Sequence, residues 1–146
     1  MQHLISKFGH TRVVRHERGG VIYPTHGIRV KRKLAGVLER EHIVLWCLRQ
    51  PDFGSSCRLH DNFKHEHLLA YADYNIEVIT LNAAVLVSMQ QNFVDFCILH
   101  EIEHIRRGSR HSEEKIDRFA LQLGRRLGLN VEAAYKYFSA DNLHQQ

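Results

Sequence analysis

The sequence contains little proline and little cysteine. Only two prolines, Pro24 and Pro51, occur in 146 residues, and no low-complexity tract divides the chain. The three cysteines, Cys47, Cys57 and Cys97, are an odd number without a CxxC pair. This argues against a disulfide framework or a cysteine-rich zinc finger and favours the reducing cytoplasm. Long apolar runs are also missing, so neither a transmembrane helix nor a signal peptide is expected.

The length and composition are those of one ordinary globular domain, which we expect to span residues 1–146. The chain is 44% hydrophobic and 25% charged, values typical of soluble proteins. Its net charge of +4 is modest. Such a charge helps the approach of an acidic partner or a nucleic acid but identifies neither.

Hydrophobic periodicity predicts strands in the first half of the chain and helices in the second. This order indicates an α+β fold, a small mixed sheet with a central helix and C-terminal helices. The predicted strands are two short ones around residues 19–20, one within 42–49, and one or two within 67–82. The predicted helices are one within 28–41, a long one over 88–107 ending at Gly108, one starting near Ser112, and a short one from after Asn130 to near Ser139.

The long predicted helix contains the pattern HExxH, formed by His100, Glu101 and His104. Residues four apart lie on one face of a helix, so the two imidazoles can supply two corners of a zinc tetrahedron. Glu101 lies beside the metal position, where it can act as a general base. With twelve His and ten Glu in the chain, random placement gives only about 0.06 matches to this pattern.

Apolar residues cover most of the circumference of this helix, which indicates that it is buried. Buried histidines need polar partners, and a metal ion provides them. The sequence therefore favours a metal site over a solvated polar face. The apolar residues are Phe93, Phe96 and Cys97 on the histidine side and Ile98, Ile102 and Ile105 on another side.

A third protein ligand has to follow His104, and two candidates remain open. Glu113 lies at the edge of the apolar face of the next predicted helix, whereas Glu114 points away from that face. His111 is the alternative, because the HExxHxxGxxH pattern of other zinc peptidases uses a third histidine. In this sequence, however, Gly108 and His111 each come one residue late for that pattern. We therefore favour Glu113.

Asp117 comes one helical turn after Glu113, on the same side of the predicted helix. Histidines that bind a metal commonly donate their second ring N–H to a carboxylate. Asp117 is therefore a candidate outer partner of the site. The alternative for both residues is an ordinary polar first turn.

Two stretches together resemble the ImmA/IrrE-type zinc peptidases: "IEVITLNAAVLVSMQQNFVDFCILHEIEHI" and the following "EEKIDRFALQL". In that family an extended segment ending in Leu-Asn precedes the active-site helix, and a Glu opens a second helix with Asn or Asp and then Phe-Ala downstream. The resemblance covers roughly residues 76–123, about a third of the chain. The matching positions are Leu81, Asn82, Glu113, Asp117, Phe119 and Ala120.

The resemblance implies a zincin-like metallopeptidase in which His100, His104 and Glu113 bind Zn²⁺ and Glu101 is the base. It also implies that residues 76–81 form the edge strand along which a peptide substrate lies. Members of the family cleave regulatory proteins such as repressors or antitoxins, so the expected partner is a protein or peptide substrate.

Two alternatives from other functional classes stay open. One is a catalytically silent, zinc-stabilised binding or inhibitor protein. The other is a DNA-associated zinc protease that uses the basic residues within 29–33, a cluster that is more often a solvated helix face. A second histidine-rich stretch, "HDNFKHEH" at residues 60–67, is a weak metal signal. His111, Tyr135 and Tyr137 are equal candidates for stabilising an oxyanion.

Overall fold

The computed structural model of the chain describes residues 20–21, 25–48, 69–73 and 77–145. Within these ranges the strands precede most of the helices, which confirms the predicted α+β class. The strands are β1 (Gly20–Val21), β2 (Val44–Leu48), β3 (Ala70–Asp73) and β4 (Val78–Asn82). The helices are α1 (Arg32–Arg40), α2 (Ala83–Leu86), α3 (Gln91–Arg107), α4 (Glu113–Arg126) and α5 (Glu132–Gln145).

The described strands form one mixed sheet in the order β1-β2-β4-β3. β2 is parallel to both β1 and β4, whereas β3 is antiparallel to β4. The prediction that residues 76–81 form an edge strand is therefore wrong, because β4 is paired on both sides. The parallel partner β2 comes much earlier in the chain than β4, and the local sequence gives no sign of that pairing. Among the described strands, β3 is the edge on the side of β4.

The main core lies between one face of this sheet and the helices. Alternate residues of β2 and β4 point to that face, and α3 contributes the largest share from the helices. Trp46 and Thr80 point to the opposite face and are also buried. The strand and helix residues that meet in the core include Leu45, Cys47, Ile79, Leu81, Phe96, Ile98, Leu99 and Ile102.

The helix boundaries near the histidines follow the signals in the sequence. α3 begins at Gln91, three residues after the predicted start at Ser88, whose hydroxyl instead donates a hydrogen bond to the carbonyl of Val85. It ends at Gly108, which has a φ of 74° that favours glycine. Ser112 caps α4, as predicted, by accepting a hydrogen bond from the Lys115 N–H. No described helix combines the length and the apolar composition needed to cross a membrane.

Two predictions near the ends of the chain need correction. α5 continues to Gln145 instead of ending near Ser139. No Gly or Pro follows Asn130 in the sequence, so no residue there forces the helix to end. Gly20 lies in β1 and not in a turn. The remainder of the predicted strand pair, at 11–19 and 22–24, is outside the described residues.

Buried carboxylates fix α3 against α1. Asp95 is 1% exposed and lies 3.5 Å from the ammonium of Lys31, the N-cap residue of α1. Glu103 is equally buried and accepts a hydrogen bond from Arg106, which also pairs with Glu41 at the other end of α1. These contacts link α3 to both ends of α1.

Gly124 allows α4 to approach its neighbours closely. A Cβ at this position would lie 2.6 Å from a methyl group of Val131 and 3.1 Å from one of Leu99 on α3. A larger residue would therefore clash first with Val131 and would also crowd Leu99 of α3. The close packing of these two helices sets the distance between the side chains of the HExxH pattern and those at the start of α4.

Candidate metal centre

α3 places His100 and His104 one helical turn apart with their rings turned toward the same point. Their Nε2 atoms are 3.0 Å apart. The side chains are 16% and 12% exposed, so both rings are largely enclosed by the fold. This arrangement follows from the four-residue spacing in a helix that is buried on most sides.

Glu113, the first residue of α4, completes a triad with these histidines. One carboxylate oxygen lies 2.8 Å from Nε2 of His100, and the other lies 3.1 Å from Nε2 of His104. The chain reaches this position through the turn Gly108–Arg110 and the Ser112 cap. One ligand atom from each of the three residues lies within 4.8 Å of the others. The sequence-based preference for Glu113 thus agrees with the geometry.

The triad has the dimensions of a metal site. In a tetrahedral site with metal–nitrogen bonds of about 2.0–2.1 Å, two ligand nitrogens are about 3.3 Å apart. The 3.0 Å between the two Nε2 atoms is close to this distance. Two imidazoles and one carboxylate also leave a fourth position for a water or a substrate. These side chains can therefore hold a divalent cation with little rearrangement.

Asp117 lies behind His100 and fixes the orientation of its ring. Its Oδ1 is 2.7 Å from Nδ1 of His100, and its side chain is 2% exposed. With the Nδ1–H donated to Asp117, a neutral His100 presents the lone pair of Nε2 to the triad. This is the outer-partner position that the sequence spacing predicts.

Without a metal, the triad holds a proton. Burial by itself lowers the pKa of His100, but hydrogen bonds to Asp117 and Glu113 outweigh burial and raise this pKa to about 10. Hydrogen bonds from His100 and His104 to the Glu113 carboxylate hold the pKa of Glu113 far below its usual range. A cation that binds here has to displace this proton, since only a neutral imidazole is a ligand.

Glu101 lies beside the triad without belonging to it. It is 7% exposed, and no described residue donates a hydrogen bond to its carboxylate. Burial raises the pKa of Glu101, and the nearby histidines only partly oppose that rise. A carboxylate with a raised pKa that faces an open cavity is suited to accept and return a proton.

A cavity of about 150 Å³ opens beside these groups. We call it the His–Glu cavity. Its polar side consists of His100 and three carboxylates, and its other side is apolar. The lining residues are Leu69, Ala70, Phe96, Cys97, His100, Glu101, Glu113, Asp117 and Phe138.

The alternative third ligand, His111, lies in a different pocket. Its ring lies nearly perpendicular to that of Phe119, with centroids 6.0 Å apart. We call this second depression the basic pocket, defined by His111, Lys115, Arg118, Phe119 and Gln122. Glu114 is exposed, as the helical pattern predicts. The geometry therefore separates both residues from the triad.

The remaining sequence candidates do not reach the His–Glu cavity. Tyr135 packs on Phe96, and Tyr137 is 56% exposed, so neither lines the cavity as an oxyanion partner. The basic residues within 29–33 lie mainly before or at the start of α1. Within this cluster Lys33 donates to the carbonyl of Leu127, and Lys31 contacts Asp95. The histidines at 60–67 are outside the described residues.

The sequence gives no indication of most of the apolar side of the cavity. Leu69 and Ala70 come from the start of β3, and Phe138 comes from α5. These residues belong to no recognisable sequence motif, and only the tertiary fold brings them close to the histidines. Phe96 gave a local signal, because it precedes His100 by one helical turn on the same face.

In comparisons with known proteins, no family model, no curated protein and no solved structure matches this chain.

Proposed function

We propose that the protein is a zinc-dependent peptidase that cleaves a protein substrate, with the His–Glu cavity as its active site. The observation that carries this proposal is the position of the buried Glu101 beside a triad of metal-ligand dimensions. A structural metal site is usually closed by four protein ligands, whereas two members of this triad, His100 and Glu113, line a cavity. The resemblance of residues 76–123 to the ImmA/IrrE-type peptidases supports the same function.

His100, His104 and Glu113 would hold the zinc ion, which would supply a Lewis acid for the scissile carbonyl and lower the pKa of a nearby water. Asp117 keeps the ring of His100 oriented through the 2.7 Å contact with Nδ1. Glu101 accepts the proton of the attacking water on its carboxylate and delivers it to the leaving amine. The raised pKa of Glu101 suits both transfers.

The sheet edge beside the cavity offers a place for a peptide. Leu69 and Ala70, at the start of β3, line the cavity directly. We therefore propose that the substrate lies along β3 and not along residues 76–81. An extended peptide bound there would pair its backbone with the sheet, a common mode of peptide recognition. An α+β domain with α3 packed beside this sheet is compatible with a zincin-like fold.

The decisive experiment replaces Glu101 with Gln. This variant keeps the size of the side chain but removes the base, so it should retain the metal and the fold and lose cleavage by at least about a hundredfold. Proteins captured from a cell extract by Glu101→Gln would be incubated with the zinc-loaded wild type and analysed for defined fragments. Glu114→Gln, an exposed change outside the cavity, is the matched control and should cleave normally.

Captured proteins that stay intact with zinc-loaded wild type would contradict the peptidase proposal. They would favour the alternative of a zinc-stabilised binding protein, which uses the same triad without turnover. A biological effect that survives Glu101→Gln would lead to the same conclusion.

A further inference from the structure

The apolar side of the His–Glu cavity is a wall of four residues, Leu69, Ala70, Phe96 and Phe138. We call it the apolar wall. It combines the start of β3, the middle of α3 and part of α5. None of its side chains carries a polar atom. Every charged group that lines the cavity belongs to the triad or to its neighbours Glu101 and Asp117.

Aromatic packing fixes the position of Phe138 in this wall. Its ring is stacked on Phe96 with centroids 5.6 Å apart and an interplanar angle of 11°. Phe93 contacts the same ring at a centroid distance of 5.9 Å. Aromatic clusters of this kind resist rearrangement, so the wall gives the cavity a defined width.

We propose that the apolar wall selects an apolar substrate side chain of medium size, such as Leu, Met or Phe, at a residue next to the scissile bond. Phe138 is the specificity-determining residue. This inference rests on the proposed peptidase function. The cavity of about 150 Å³ is the size of a cavity that accepts a benzene ring. A charged side chain against this wall would lose its hydration without gaining a partner.

The wall is a surface for a ligand and not simply part of the core. Phe138 is only partly buried, although it packs against core residues. Its neighbour Tyr137 belongs to the same aromatic cluster but does not line the cavity. The two residues therefore form a matched pair: a substitution of Phe138 changes the cavity, and the same substitution of Tyr137 does not.

The first experiment uses metal-free protein and benzene as the probe, followed through the methyl signals of Leu69 and Ala70 in an NMR titration. Benzene should shift both signals in the wild type and in Tyr137→Leu. Phe138→Trp should abolish the shift by filling the cavity. Phe138→Leu should keep benzene binding and add binding of naphthalene, which keeps the test informative if the tryptophan variant does not fold.

The second experiment uses zinc-loaded protein and peptides derived from a captured substrate, with the residues flanking the cleaved bond varied in turn. At one of these positions kcat/KM for Leu or Phe should exceed that for Gly, Glu or Lys by about tenfold or more. Phe138→Leu should shift the preference toward Trp by about tenfold. Tyr137→Leu should leave the preference unchanged.

The outcomes separate the two proposals. Cleavage without an apolar preference, or a preference that Phe138→Leu does not change, overturns the role of the apolar wall and leaves the peptidase proposal intact. Benzene binding without cleavage of any peptide overturns the peptidase proposal and, with it, the substrate role of the wall. Unshifted methyl signals of Leu69 and Ala70 in the wild type overturn the inference, because the cavity then does not accept an apolar group.

Discussion

The two sides of α4 carry two pockets of opposite chemistry. On the side of α3, the His–Glu cavity places two carboxylates, Glu113 and Asp117, within 2.8 Å and 2.7 Å of nitrogen atoms of His100. On the other side, His111 shares the basic pocket with Lys115 and Arg118. Among the described residues, no carboxylate lies within ion-pair distance of His111. The difference teaches that the carboxylates around a histidine, and not the abundance of histidine, distinguish the candidate metal site in this chain.

The largest difference between the two pockets should appear when one histidine in each is replaced and the zinc content is compared. His104→Ala removes one of the three ligand atoms and should lose most of the zinc, which we expect to be close to one ion per chain. The loss should exceed the 10- to 100-fold that is usual for an outer partner. Metal content after dialysis, measured by atomic emission, provides the test. His111→Ala is the control and should keep its zinc; release of zinc by His111→Ala alone would reverse the assignment of the third ligand.

Replacing two neighbouring glutamates in turn tests whether zinc binding depends on one specific carboxylate. Glu113→Ala should weaken zinc binding sharply, because the carboxylate next to both Nε2 atoms is lost. Glu114→Ala removes an equal charge from the same helical turn, but its side chain is exposed and lies outside the triad. Competition with a chromophoric chelator would measure both affinities. Equal losses in the two variants would mean that only the charge at the start of α4 matters.

An intermediate effect is expected for Asp117→Asn. The amide has nearly the size of the carboxylate but orients the ring of His100 less firmly and lacks the negative charge. Zinc affinity should fall about 10- to 100-fold while the protein stays folded. The chelator assay and a circular dichroism spectrum of the same sample check both points. An unchanged affinity would show that the 2.7 Å contact is structural and has no part in metal binding.

The dependence of zinc affinity on pH tests the proton held by His100. The pKa of His100 in the metal-free protein is raised to about 10, so binding at neutral pH should release about one proton. Affinity should therefore rise about tenfold for each pH unit between about 7 and 9. Calorimetry in buffers of different ionisation enthalpy counts the released protons. A count near zero would mean that His100 is already neutral before the metal binds.

The smallest effect concerns the stability of the metal-free protein. The raised pKa of His100 contributes stability that is complete below the unfolded value of 6.5 and is lost as pH rises toward about 10. The lowered pKa of Glu113 contributes stability that is complete above the unfolded value of 4.5 and is lost in more acidic solution. The difference in Tm between wild type and Glu113→Gln should therefore be largest between these two values. A difference that is flat with pH would contradict the ion pair.

The parts of this structure that depend on local sequence could be predicted. The HExxH spacing placed both histidines on one face, Gly108 ended α3, and Ser112 capped α4. The helical pattern also favoured Glu113 over Glu114. Each of these inferences needs only residues within one or two helical turns.

The parts that depend on distant residues could not be predicted. The pairing of β4 with β2 joins strands separated by a long stretch of chain, and the resemblance that implies an edge strand at 76–81 gives no sign of it. Phe138 reaches the His–Glu cavity only because α5 packs back against α3, and its own segment has no pattern that indicates a site. The position of the His–Glu cavity and its width are therefore results of the tertiary structure.

Glu113 is the first residue of α4, and this position has a consequence for motion. The ends of helices open more easily than their middles, whereas His100 and His104 lie within a helix that is buried in the core. A metal held between them would close the intervening loop and attach the start of α4 to the most stable part of the fold. The amide hydrogens of the first turn of α4 would then exchange slowly with solvent when metal is bound and quickly when it is removed. Loss of the ion would loosen one wall of the site locally, long before the domain as a whole unfolds.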